Sequence, residues 1–242
     1  MKTTRTSETD WRVLQHDAPQ QLADNLWRVE GALDGMALRR CMVVVRLASG
    51  DLLLHNGVAL DEAGMAWLEA LGRPRWLVVP NGWHRRDAAR YRARYPDLGV
   101  ICPRAARKKV ADKVAVDATY DDLPRPGDDA VTFEPIDGLG GLEGVMRVTS
   151  ADGATLVFND AIFNLPHGKG LFWWFYGRVL GNAGAPKVTS ITRLLMVKDR
   201  GALRAHLERL AETPDLRRVI VAHGGVIDDD PAGVLRAVGA TL

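Results

Sequence analysis

Four short apolar runs in this chain each end on polar residues, and that pattern narrows its fold more than any other feature. The runs lead into Leu54-His55-Asn56-Gly57, Asn81 to Asp87, Phe158-Asn159-Asp160 and Val221-Ala222-His223-Gly224-Gly225. Buried strands with polar groups at their ends are how layered α/β proteins gather functional side chains along one edge.

The segments between these runs fit the same class. After a polar lead over 1–21, Asn25 to Glu30 reads as a strand, and Arg40 to Leu47 pairs with Asp51 to His55 across Ala48-Ser49-Gly50 as a hairpin. Leu60 to Leu71 carries apolar residues at helical spacing and stops at Gly72. A strand over 75–80, a helix over about 84–95, a strand from Gly99 to Cys102 and a helix over about 103–113 follow. Strands are then predicted over 130–136, 144–149 and 155–158, the last two joined by Asp152-Gly153. The C-terminal third reads as an aromatic loop from Leu171 to Tyr176, helices near 188–197 and 199–212, a strand from Val219 to Ala222, and a closing helix from Pro231. Two sheets, each covered by helices, account for this order within one domain over 22–242.

Composition limits the partners. The 32 Lys and Arg residues against 30 Asp and Glu leave a net charge of +2, no whole-molecule reason to expect nucleic acid or a membrane. The basic run from Arg85 to Lys109 reads as a solvated helix face. Cys41 and Cys102 stand in apolar runs without ligand spacing and read as core residues. No apolar stretch has the length of a secretory signal or membrane span, so a cytoplasmic protein with a small-molecule partner is expected. The run Leu171 to Tyr176 reads as core, as a pocket wall, or as a subunit contact in a homodimer.

Histidine nitrogens and carboxylate oxygens from separate strand ends are the donor types of an open metal site. His84, Asp160 and His223 are the candidates, with Glu143 able to add an oxygen. His55 reads as a turn residue beside a ligand, and His16, His167 and His206 as surface residues. A second reading needs no metal: Asn81 and Arg85 at a helix start offer N–H groups and a guanidinium to a small anionic ligand.

From Leu22 to about Val238 the order of these elements resembles the metallo-β-lactamase superfamily, and Pro80-Asn81-Gly82-Trp83-His84 resembles a branch in which Pro-Asn-x-x-His replaces the histidine-rich box. The resemblance implies a four-layer αββα sandwich, with Asp160 as the metal-bridging aspartate and His223 as the last histidine ligand. The box His-x-His-x-Asp-His falls on Asn81, Trp83, Arg85 and Arg86, with His84 between ligand positions, and the mid-chain histidine is Leu139. At about 5 Å and an effective dielectric of about 20, two unit charges interact by roughly 3 kcal/mol, so an arginine facing a divalent ion costs roughly twice that. Arg85 and Arg86 are therefore expected to turn away, or the metal to be absent. The resemblance implies a hydrolase with a reduced site holding one zinc, iron or manganese ion, or a metal-free relative that binds an anion.

Overall fold

The computed structural model describes residues 7–122 and 129–242. Seven strands form the first sheet in chain order: β1 (Gln20–Ala23), β2 (Leu26–Leu33), β3 (Met36–Arg46), β4 (Leu52–His55), β5 (Pro74–Val78), β6 (Gly99–Cys102) and β7 (Ala118–Thr119). Pairing is antiparallel from β1 to β4 and parallel from β4 to β7. The connections explain the change. Tight turns reverse the chain through β4, whereas crossovers carrying α1 (Glu62–Leu71), α2 (Ala88–Arg94), and a 3-10 turn (Arg104–Ala106) running into α3 (Arg107–Ala111) keep later strands parallel.

The second sheet holds β8 (Val131–Pro135), β9 (Gly144–Ser150), β10 (Gly153–Val157) and β11 (Leu216–Ile220), in the order β11-β10-β9-β8. Between β10 and β11 run α4 (Leu171–Trp173), a π-helical turn (Trp174–Val179), α5 (Ser190–Leu195) and α6 (Arg200–Leu210), and α7 (Pro231–Ala240) closes the chain.

Strand alternation sends neighbouring residues into different cores. Val43, Val45, Val78 and Ile101 meet Met146, Val148, Val157 and Ile220 between the sheets. Met42, Val44 and Leu77 face Met65, Leu68, Tyr91 and Val110 of the first helical layer. Val145, Leu156 and Val219 face Leu203, Leu207, Leu235 and Val238 of the second. Strands buried on both faces have no polar side, hence the continuous apolar runs. The result is the expected four-layer αββα sandwich.

Local readings needed correction. β3 pairs with β2 across Asp34-Gly35, where Gly35 takes φ of 71°, in addition to the expected pairing with β4. The helix expected from 84 begins only at Ala88. The aromatic run is helical rather than a loop. Within the described part of the lead, the Trp11 indole donates to the Leu60 carbonyl at 2.8 Å, and the Ala32 N–H to the Gln15 carbonyl at 2.7 Å. Of the three histidines read as surface residues, only His167 is exposed; His206 is buried, its Nδ1 accepting the Asp137 N–H at 3.2 Å, and half-buried His16 accepts the Asp61 N–H.

Asp87 ties the loop after β5 to the first sheet. Its carboxylate pairs with Arg40 and Arg90 and accepts the Ala59 N–H at 3.1 Å, while Arg40 also donates to the Gly57 carbonyl at 2.9 Å. Asp87 and Arg40 are both buried, so removing the carboxylate strands a buried guanidinium. Asp87→Ala is expected to lower the free energy of unfolding by about 3–5 kcal/mol in denaturant titration; a loss under about 1 kcal/mol contradicts this role.

Candidate metal centre

The carboxyl ends of β4, β5, β10 and β11 lie together at one edge of the sandwich, where open α/β sheets place their ligands. Hydrogen bonds fix this edge across both sheets: the Cys41 N–H on β3 donates to the Ala222 carbonyl just after β11, at 2.8 Å, and the Phe158 N–H to the Ile220 carbonyl at 2.9 Å. His84, Asp160 and His223 converge there, one ligand atom from each lying within 4.8 Å of the others.

The hydrogen-bond partners determine which atoms face inward. The Asn56 Nδ2 donates to the Cys41 carbonyl at 2.9 Å, which turns its Oδ1 toward His84 Nδ1 at 3.1 Å. An amide oxygen only accepts, so Nδ1 of His84 carries a proton and Nε2 is left facing Asp160. His223 Nδ1 lies 2.5 Å from the Arg39 carbonyl, which imposes the same tautomer. Phe163 stacks on the His223 ring at 4.8 Å. The two Nε2 atoms then stand 3.3 Å apart and 3.1 and 3.3 Å from Asp160 Oδ1. The three atoms are close enough to share one cation, either a proton on an Nε2 or a metal ion. Burial drives the His84 imidazole down despite the pull of Asp160. Burial opposes ionisation of Asp160, yet His84 and His223 hold its carboxyl well below the usual carboxylate range.

Asn81 and Glu143 build the support. Asn81 Oδ1 accepts the N–H groups of Trp83 and His84 at 2.9 and 3.1 Å, and its Nδ2 donates to Asp160 Oδ2 at 2.7 Å. Glu143 accepts the N–H groups of Asn159, Asp160 and Ala161 at 3.0, 2.9 and 2.9 Å, together with Asn81 Nδ2 at 3.2 Å. Both its oxygens are thus filled, and the carboxylate organises the Asp160 turn instead of supplying a metal oxygen. Burial, reinforced by the charge of Asp160, pushes its carboxyl up to about 7. Leu139 lies in the second core with no donor atom.

The anion-binding constellation is not assembled. Asn81 is fully buried and committed to Asp160 and Glu143, Arg85 turns to the Lys109 carbonyl and lies 3.6 Å from Asp112, and α2 starts beyond both. Arg85 turns away as expected, but Arg86 does not: it lines a cavity of about 460 Å³ over the triad, with Arg40, Leu38, Phe163, Phe172 and Tyr176. The orienting residues Asn56 and Arg39, and Arg40 on the wall, were not anticipated. Asn56 had one local signal, the His-Asn-Gly step at a strand end, where it takes φ of 59°.

His55 is neither a turn residue nor part of the cavity wall. It closes β4, fully buried, with no partner for Nε2 among the described residues. Burial, then the nearby His84, lowers its imidazole from 6.5 to about 3.

No protein-family model and no curated protein sequence matches the chain. Among solved structures it is similar to a metallo-β-lactamase from Pontibacter korlensis, with a TM-score of 0.62 and 12% identity over 94% of this chain and 100% of that one. It is also similar to the DIM-1 metallo-β-lactamase, with a TM-score of 0.61 and 12% identity over 93% of this chain and 97% of that one. The chain therefore has the metallo-β-lactamase fold.

His55 stays neutral in the fold, whereas the unfolded chain takes up its proton below pH 6.5. Its neutral form favours the fold above that pH, and the contribution is lost as pH falls from 6.5 toward 3, by roughly 1.4 kcal/mol per unit. In urea titrations across that range His55→Leu is expected to flatten the slope of stability against pH by about one proton. An unchanged slope places the titration elsewhere.

Proposed function

We propose that the chain is a metal-dependent hydrolase that holds one zinc, iron or manganese ion through His84, Asp160 and His223. The observation carrying this reading is the convergence of two Nε2 atoms and Asp160 Oδ1, at 3.1 to 3.3 Å from one another, beneath a cavity. Two histidines and a carboxylate are a donor set that suits a catalytic ion, leaving a coordination position for water or substrate. When bound, the ion supplies Lewis-acid polarisation and makes a water more acidic. One ion is favoured over two because the remaining positions of the superfamily box carry Asn81, Trp83, Arg85 and Arg86, and Leu139 stands where the mid-chain histidine would.

The chain's own residues perform the rest. Asn56 and the Arg39 carbonyl hold the two imidazoles in their tautomers, a support whose loss from metal sites typically costs ten- to a hundredfold in affinity or activity. Asn81 fixes the carboxylate plane by engaging Oδ2. Phe163, Phe172, Tyr176 and Leu38 give the cavity apolar walls that exclude water and seat an ester, amide or related small molecule. The Arg40 guanidinium is buried, and its Nε has no partner among the described residues. With Arg86, whose charge Asp34 offsets at 3.8 Å as Asp87 does that of Arg40, it offers guanidinium N–H donors on the wall to an oxygen that gains charge during acyl or phosphoryl transfer.

The test is turnover by metal-reconstituted protein on a panel of ester, thioester, amide and phosphodiester substrates. Hydrolysis of at least one class is expected, with Asp160→Ala and His223→Ala each reducing kcat/KM by about a hundredfold or more. Turnover that survives both substitutions contradicts the assignment.

A further inference from the structure

Between Asp160 and Asp199 the chain contains no aspartate or glutamate, yet it carries Lys169, Arg178, Lys187, Arg193 and Lys198. The whole molecule is almost balanced in charge, so this strip concentrates its positive excess. The same strip holds all the exposed large apolar side chains among the described residues except Val13, Met36 and Trp83. Leu171 and Leu194 are each 80% exposed, Trp174 57% and Phe175 53%.

This exposure belongs to an anchored helix. Over 171–179, Trp173, Tyr176 and Gly177 turn inward, and Tyr176 packs with Leu38, Phe163, Leu165 and Ala183. A Cβ on Gly177 would meet that of Ala183 at 3.1 Å, so the chain folds back closely on this helix just after it. Its outer side presents Leu171, Trp174, Phe175 and Val179, with Lys169 and Arg178 beside them. Among the described residues neither of these cations pairs with a carboxylate. Phe172, Ile191 and Leu195 are exposed and also line the cavity, so the cavity opens onto this face.

We propose that this face docks the protein on an anionic lipid bilayer. Tryptophan and phenylalanine on an outward helix face, flanked by lysine and arginine with no acid among them, match the interfacial zone and its phosphates. A second copy of the chain would present the same cations, and a symmetric contact would set like charge against like. No helix among the described residues is long and apolar enough to cross a membrane, so the contact is peripheral. It does not depend on the hydrolase reading or on metal.

Co-sedimentation of the full chain with vesicles tests the proposal. Binding is expected to vesicles of phosphatidylcholine with about one-third phosphatidylglycerol, to weaken with salt, and to be much weaker with phosphatidylcholine alone. The double variants Trp174→Ser/Phe175→Ser and Lys169→Glu/Arg178→Glu, their folding checked by circular dichroism, should each lower the partition coefficient by about thirtyfold. Absence of binding to the anionic vesicles, or partitioning that both variants leave within about twofold of wild type, overturns the proposal. A solution dimer that Trp174→Ser/Phe175→Ser dissolves assigns the face to a second copy and overturns it equally.

Discussion

Two imidazole nitrogens and a carboxylate oxygen are held within 3.3 Å of one another. Such a cluster holds together only around a shared cation, because polar groups brought this close and partly withdrawn from water need a partner. The fold keeps the cluster by binding the far side of each group: His84 through Asn56, His223 through the Arg39 carbonyl, and Asp160 through Asn81. The two asparagines are in turn fixed by backbone groups whose donor or acceptor sense admits one arrangement.

The same economy extends into the fold. Glu143 draws three consecutive N–H groups around one carboxylate, and that turn delivers Asp160 to the site. Asp87 binds Arg40 and Arg90 and keeps the irregular loop after β5 against the first sheet. The Cys41–Ala222 hydrogen bond joins the sheets where His223 must reach the Arg39 carbonyl. Stability and site geometry therefore share residues, which is how a loop without helical structure over 81–87 can still place His84.

The architecture was legible because doubly buried strands are continuous apolar runs, and their polar ends named His84, Asp160 and His223. Local signals failed where long-range bonds decide. Asn81 reads as a helix-start residue by position, but its side chain is committed to Glu143 and Asp160, far along the chain. Glu143 reads as a ligand by residue type, and only the fold shows four N–H groups occupying it. The β2–β3 hairpin was marked by Asp34-Gly35, a step that favours positive φ, and could have been read. The exposure of Trp174 and Phe175 had no sequence signal, since aromatic runs belong to cores and surfaces alike.

The most direct measurement of the central claim is the stoichiometry of divalent-ion binding, by calorimetric titration of metal-stripped protein at neutral pH. One ion per chain is expected, with no binding in His84→Ala. A second ion of comparable affinity, or no binding by the wild-type chain, would contradict it.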